Sequence, residues 1–379
     1  MTSTPQNLAG AVLTVDLAAL RDNWLSLSRR AGPAQCGAAV KGDAYGLGVA
    51  PVALALWQAG CRGYFVARPA EGAELRAILP EAEIYVLDGL YAGEAAYYAA
   101  HRLRPALISL AEAEAWAAYG KAHGVSPPCA LHADTGINRL GFPLDDLNAL
   151  LANGPLLAAL NVSLLMSHLA CADEPAHPMN ARQRDAFAAL RRKLPGVPAS
   201  LANSSGIFLG GGYTHELTRP GLALYGGNPT PEKPNPMKPV AILEARILQV
   251  KTISPGETVG YGGSWQAERQ TRVAILGAGY RDGVPRALSS RGAHGPAQVA
   301  LGGKRCPVIG RVSMDVMAVD VTDLPTESAA VGAHAEIFGR HISIDEAASW
   351  AGTISYELLT RLGSRYARLY TGQESDQSA

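Results

Sequence analysis

Little in this chain points outward. Its 379 residues carry 33 basic and 33 acidic groups, so no net field draws it toward nucleic acid or an anionic membrane. Only 17% of the residues are charged. The cysteines, Cys36, Cys61, Cys129, Cys171 and Cys306, are scattered, odd in number and without a CxxC pair. That argues against a disulfide framework and suits reduced core thiols. No apolar run reaches the length needed to cross a bilayer. Residues 1–10 are polar, with neither the basic nor the apolar segment of an export signal, so the expected compartment is the cytoplasm. What is left is a small, locally focused site.

What is present is apolar volume in an alternating pattern. Hydrophobic residues make up 48% of the chain, and its length is too great for one ordinary core, so two domains are expected. From about residue 35 to 230, short apolar runs alternate with helical patterns. Candidate strands are 35–40, 63–67, 84–88, 104–109, 128–133, 161–167, 198–203 and 222–226. Helical spacing marks 49–58, 69–79, 111–123 and 180–193, with Pro69 suited to a first turn and Gly124 and Gly196 to helix ends. Eight strands separated by helices fit a (β/α)8 TIM-type barrel better than an open sheet. Spacing does not show closure, so a doubly wound sheet remains open at this point.

Ahead of the first strand, Asp16 is placed to cap a helix with Leu17, Leu20, Trp24 and Leu27 on its apolar face. Residues 12–15 form a short strand that belongs to no obvious βα pair and is a candidate for another sheet. Pro229, Pro231, Pro234, Pro236 and Pro239 then mark a boundary. Beyond it the chain reads as mostly β, with strands at 241–253, 271–276, 297–301, 316–321 and 335–337, a helix at 344–350 and a final run at 354–369. The expected division is an N-terminal arm (1–11), the barrel (12–228), a Pro-rich linker (229–239), a mainly β domain (240–370) and a disordered tail (371–379).

Chemistry in a barrel sits on the loops after the strands. Lys41 follows the first strand, in Lys41-Gly42-Asp43-Ala44-Tyr45-Gly46. An amine desolvated on one side has a lowered pKa and suits Schiff-base chemistry, although most lysines at strand ends are merely solvated. His132, Asp134, Asn138 and Arg139 follow the fifth strand, His168 the sixth, and Asn203 and Ser204 the seventh; Arg219, Gly221 and Tyr225 frame the last. The turns after the seventh and eighth strands are where barrels hold phosphate. A lysine, a phosphate cradle and an arginine on one rim suggest pyridoxal phosphate. His168, Cys171, Asp173 and His177 match a metal cluster in composition but in none of the common zinc spacings, so no metal is expected. Gly277-Ala278-Gly279 lacks the third glycine and the following helix of a dinucleotide fingerprint, and reads as a turn.

These segments are similar to those of the alanine racemases, a fold-type-III pyridoxal phosphate family, from about Leu13 to Tyr370. The lysine segment resembles the family's Lys-Ala-Asp-Ala-Tyr-Gly motif, and residues 134–141 its Asp-Thr-Gly-Met-x-Arg-Leu-Gly segment. Further matches are Arg219-Pro220-Gly221, Gly260-Tyr261-Gly262, Gly279-Tyr280-Arg281-Asp282-Gly283, Gly310-Arg311-Val312-Ser313-Met314-Asp315 and Ile354-Ser355-Tyr356-Glu357.

The resemblance implies a homodimer in which one barrel is completed by the second domain of the other subunit. Lys41 would hold the coenzyme aldehyde, with Tyr261 of the partner subunit on the opposite face, one acting as base and the other as acid. His168 would bridge Tyr261 and Arg219, and Arg219 would face the pyridine nitrogen. Tyr45, Asn203, Ser204, Gly221, Leu222 and Tyr356 are the cofactor contacts expected beside them. Arg139, Met314 and Asp315 would line the substrate, and Tyr280 and Tyr356 would narrow the entrance to suit a methyl side chain. One position departs from the pattern: the family often has a carbamylated lysine two residues before Asp-Thr-Gly, and His132 stands there. The implied activity is interconversion of L- and D-alanine for peptidoglycan. Alternatives are a serine or broad-specificity racemase, a decarboxylase of basic amino acids, and a non-catalytic pyridoxal phosphate-binding protein.

Overall fold

A computed structural model describes residues 5–289 and 296–373. In it the first strand of the parallel sheet is broken at Gly37 into Gln35–Cys36 and Ala38–Ala39. Gly63–Val66, Glu83–Val86, Arg104–Leu107, Pro128–His132, Asn161–Met166 and Ala199–Ser200 follow in sequential parallel order. The eighth strand, Leu217–Thr218, pairs in parallel with Gln35–Cys36. Glu216 N–H to Ala199 C=O (3.1 Å) and Arg219 N–H to Ala202 C=O (2.9 Å) tie that strand to the seventh. On its other side, Gly37 and Ala39 donate to Thr218 and Pro220 at 2.9 Å each. The sheet therefore closes on itself, and the barrel prevails over the open sheet.

The eighth strand is not where apolar spacing placed it. Residues 222–226 read as a strand, yet Leu222–Tyr225 is one buried turn of 3-10 helix. An apolar run of this length is compatible with either form, and Pro220, which has no N–H, ends the ladder just before it. The other strands are apolar on both faces: Ile84, Val86, Ala106, Leu107, Ala130, Leu131, Leu164 and Leu165 are all buried. This is what a parallel sheet with helical crossovers requires. Val49–Gln58, Pro69–Ile78, Leu110–His123 and Pro178–Arg191 are helices. Ser109 Oγ caps one of them through Glu112 N–H (3.3 Å), and Gly124, at φ 65°, ends it. Asp16 Oδ1 accepts Ala19 N–H at 2.9 Å and starts the helix Leu17–Ala31.

The chain divides into two compact units. Residues 20–224 and 228–237 form the barrel unit, and residues 1–19, 225–227 and 238–379 the other. In the second unit Ala241–Ile253 is the central strand, bulged near Gln249. It pairs with Ala11–Asp16, Thr271–Leu276 and His334–Phe338. Gln298–Leu301, Lys304–Ile309 and Met317–Asp320 bridge the last two, so six strands form a closed ring. Ala11–Asp16 and Ala367–Thr371 extend it. Thr371 is thus paired, with Asp16, where a disordered tail was expected to begin. The rest of that expected tail, from residue 374, lies outside the described residues. Lys304–Ile309 escaped apolar patterning because it opens on Lys304 and Arg305 and carries Pro307.

Candidate active site

Lys41 leaves the first barrel strand at its C-terminal end and opens a turn with an unusual backbone. Gly42, Asp43, Ala44 and Tyr45 all lie in the left-handed region, with φ between 53° and 65°. Only Gly42 is free of a Cβ penalty there, and each of the others costs roughly 1–2 kcal/mol. The turn aims Lys41 and Tyr45 differently from a right-handed continuation of the strand. Burial lowers the Lys41 pKa, and the Arg139 guanidinium lowers it further, against a smaller upward pull from Asp88 and Glu71. An amine so placed is a better nucleophile and base near neutral pH than an ordinary lysine.

Around it stands a set of cations and potential cations. Arg219 is 5% exposed and donates from Nη1 to Ser200 Oγ and from Nη2 to Ser167 C=O, each at 2.5 Å. Burial pushes its pKa down, to about 9, and the two donated hydrogen bonds favour the charged guanidinium at neutral pH. His132 is equally buried, and neither ring nitrogen has a hydrogen-bond partner among the described residues. Burial first, then Arg219 and Arg139, lower it to about 4, so it is neutral. His168 is driven well below the usual histidine value by burial and by Arg219, Arg139, His132 and Lys41. The nearby Asp134 Oδ1 accepts Gly136 N–H (2.8 Å) and Asn138 N–H (3.2 Å), shaping the loop that carries Arg139. A rim with this balance has use for an anionic ligand.

The opposite wall of the rim is a cradle for one. Ser204 Oγ gathers the N–H groups of Gly221 (3.0 Å) and Ala223 (3.2 Å), fixing the turn that begins Leu222–Tyr225. A Cβ on Gly221 would lie 2.3 Å from the Tyr45 hydroxyl, so glycine is required for the tyrosine to reach this wall. Lys41, Tyr45, Ser204, Gly221 and Leu222 therefore surround one region, lined by hydroxyls, backbone amides and an amine. That donor set fits pyridoxal phosphate. Asn203, on the same turn as Ser204, accepts Gly206 N–H at its Oδ1 (2.9 Å) and shapes that turn.

The remaining predicted residues lie in the second unit, on loops that cross-link one another. Tyr280 N–H donates to Ser313 C=O and Arg281 N–H to Met314 C=O, both at 3.0 Å. A Cβ on Gly279 would meet the Met314 carbonyl at 2.4 Å, which is why glycine stands before Tyr280. The turn Tyr261–Gly263 lies beside Arg311, whose guanidinium would touch a Cβ on Gly262. Asp315, expected at the substrate, is ion-paired with Arg365 Nη1 at 2.7 Å and is more than half exposed. The same arginine grips Asp282 with Nε (2.7 Å) and Nη2 (2.8 Å), and Tyr366 donates its hydroxyl to the Asp282 carbonyl. Arg365 thus bolts the Tyr280 turn to the Met314 loop. Tyr261, Tyr280, Met314, Ile354 and Tyr356 are all exposed.

Several residues that build the site were missed. Gln183 is fully buried; it donates to His168 C=O (2.8 Å) and Thr135 Oγ1 (3.3 Å) and accepts Ala170 N–H (2.9 Å). It could have been found as one of two amides, with Asn180, on the buried stripe that carries Phe187 and Leu190. Ser167 and Ser200, which hold Arg219, and Glu71, which binds Gly42, gave no such signal. His177 accepts Met179 N–H at 3.1 Å as a helix cap. Among the described residues no group of three or more His, Cys, Asp or Glu is placed to hold a metal, and no helix is long and apolar enough to cross a membrane.

Comparison with known proteins separates the readings. Residues 15–229 match the family model "Alanine racemase, N-terminal domain", and residues 240–370 match "Alanine racemase, C-terminal domain". An alanine racemase of Methylobacterium sp. (strain 4-46) is 50% identical over 98% of this chain and 100% of that protein. The biosynthetic alanine racemase of Agrobacterium fabrum is 46% identical over 94% and 93%. Among solved structures, the Bartonella henselae alanine racemase with covalently bound pyridoxal phosphate superposes with a TM-score of 0.90, at 36% identity, covering 96% of this chain and 99% of that one. The biosynthetic alanine racemase of Pseudomonas aeruginosa gives 0.89 at 36% identity, covering 96% and 100%. With both halves matched and half the residues shared along nearly the full length, this chain belongs to the alanine racemase family.

Proposed function

We propose that this chain interconverts L- and D-alanine with pyridoxal phosphate, and that it does so as a homodimer. The observation that carries the reading is the lysine of lowered pKa on the rim of a closed barrel, beside Arg139 and opposite a glycine–serine cradle. Lys41 would hold the coenzyme aldehyde, and Tyr45, Ser204 and the amides of Gly221 and Leu222 its phosphate. Arg219, fixed on two sides by the barrel wall, would face the ring nitrogen. The bound coenzyme supplies an electron sink that makes the substrate's α-proton labile.

The protein then has to move a proton on each face. Lys41 takes it as the amine or returns it as the ammonium on one side. On the other we assign the phenol of Tyr261 from a second copy, with His168 between Tyr261 and Arg219. Arg139, near Lys41, and the Met314 amide would hold the carboxylate. Tyr280 and Tyr356 from the same second copy would restrict the side chain to one as small as methyl. Support for a second copy comes from Tyr261, Tyr280, Met314, Ile354 and Tyr356. Apolar side chains so exposed on neighbouring loops suit a covered surface. In a bacterium the product would serve peptidoglycan, with the enzyme in the cytoplasm.

Incubation of L-alanine with the holoenzyme in heavy water tests this. Loss of optical rotation together with deuterium at Cα is expected. Release of carbon dioxide would identify a decarboxylase, and an unchanged substrate would leave only a coenzyme-binding protein.

A further inference from the structure

The left-handed turn after Lys41 has no local reason to exist. Three successive non-glycine residues, Asp43, Ala44 and Tyr45, hold φ/ψ values of 55°/50°, 53°/51° and 57°/34°. L-residues visit this region singly, and runs of this kind persist only where surrounding structure over-determines them. Part of that determination is packing, since Ala44 and Tyr45 are buried. Part is the exit of the turn, where Asp43 Oδ1 accepts Val49 N–H at 2.7 Å and Asp43 C=O accepts Gly48 N–H at 3.0 Å.

The entrance is held from elsewhere. Gly42 N–H donates to Glu71 Oε1 at 2.8 Å, while Glu71 Oε2 accepts Ala67 N–H (2.8 Å) and Arg68 N–H (3.2 Å). One carboxylate thereby joins the end of the first barrel strand to the end of the second. A helix cap for Pro69–Ile78 needs only the bond to Arg68. The bond to Gly42, 29 residues away, does nothing for that helix.

We propose that Glu71 is a positioning residue for the reaction, locking the left-handed turn and so setting the direction of the Lys41 amine and the Tyr45 hydroxyl. The proposal rests on the reading of Lys41 and Tyr45 as coenzyme contacts. Glu71 also places a negative charge near Lys41, countering part of the downward pull on the amine.

The test compares Glu71→Gln with Ser109→Ala, which removes the side-chain cap of Leu110–His123, the helix that follows the fourth barrel strand. Both variants are expected to melt a few degrees early. Glu71→Gln offers one acceptor oxygen in place of two and carries no charge. Its holoenzyme should show the pH midpoint of the lysine-bound coenzyme's visible absorbance moved down, and faster loss of pyridoxal phosphate on dialysis. Its kcat for alanine should fall about 10- to 100-fold with KM little changed. Ser109→Ala should show none of these three effects. The proposal is overturned if the two variants behave alike, melting early with midpoint, retention and kcat all as in the parent. The midpoint and retention read Glu71 even if the parent enzyme proved to act on an amino acid other than alanine, so the two readings fail separately.

Discussion

Arg219 and Tyr261 sit at opposite extremes of the same proposed reaction. Arg219 is 5% exposed, with two short hydrogen bonds inside the barrel wall. Tyr261 is 71% exposed on a three-residue turn bracketed by glycines. The rim of the barrel is finished by its own fold: Gln183, Ser167, Ser200 and Glu71 tie each functional loop to a strand or helix. The second unit finishes only the underside of its loops, through Arg365, Asp282 and backbone bonds. The functional side chains above are left in solvent. On the proposed reading, a group that works within its own subunit is preorganised there, whereas one that serves a second copy is held at its base and presented outward.

The largest effects expected follow from that contrast. Lys41→Ala and Tyr261→Phe should each lower kcat by about 10²–10⁴-fold, the range for a lost proton carrier, with the lysine variant at or beyond the upper end because it also holds the coenzyme. The difference lies elsewhere. Tyr261→Phe should leave stability within about 0.5 kcal/mol, being a surface change, and should keep the coenzyme. Mixing the two inactive proteins under conditions of subunit exchange should restore activity, because a hybrid dimer has one site with both native residues. Proven exchange without recovery would place both residues in one subunit's site and end the comparison.

The candidate residues on the barrel were legible in the sequence and those in the second unit were not, for a physical reason. Lys41, His132, His168 and Ser204 lie at or just after the ends of apolar runs read as strands, so alternation groups them on one rim, whereas Arg219 joins them only beside a run that is a turn and not the strand. Tyr261, Tyr280, Met314 and Tyr356 follow no periodic element, and only resemblance singled them out. Topology also failed where pattern is silent. The Leu222–Tyr225 run reads as a strand but is a turn. The left-handed conformation of Asp43, Ala44 and Tyr45 is invisible in a sequence, since none of the three prefers it.

A smaller effect sharpens the comparison on the barrel side. Gly221→Ala puts a methyl 2.3 Å from the Tyr45 hydroxyl and 3.1 Å from its ring carbon. The buried tyrosine has little room to yield, so the variant should lose roughly 1–2 kcal/mol of stability, as overpacked cores do. Its affinity for pyridoxal phosphate should fall about 10-fold, equivalent to ~1.4 kcal/mol. A glycine in the second unit such as Gly302, which has no neighbour within 4 Å, should show no affinity change when replaced by alanine, though its φ of 58° is unfavourable. Equal loss of coenzyme in both variants would mean that retention follows general stability and not the cradle.

A pH-dependent effect concerns His132, and its sign can be worked out. The folded protein holds this imidazole near 4, below its ordinary value of 6.5, because burial and the neighbouring Arg219 and Arg139 oppose a further positive charge. Between those two values the unfolded chain binds a proton that the folded chain does not, so stability falls as pH drops from about 6.5 to about 4 and is flat above. The full span corresponds to about 3 kcal/mol at most, and a relaxing cavity would reduce it. His132→Gln removes the titration while keeping a polar side chain of similar size. The variant's stability should therefore slope less steeply between pH 4 and 6.5 than the parent's, by up to one proton, while His168 contributes its own part in both proteins. Urea unfolding at a series of pH values reads the slope directly. An unchanged slope would mean that His132 is charged in the folded state, and the rim would then need a different account of how Arg139 and Arg219 tolerate it.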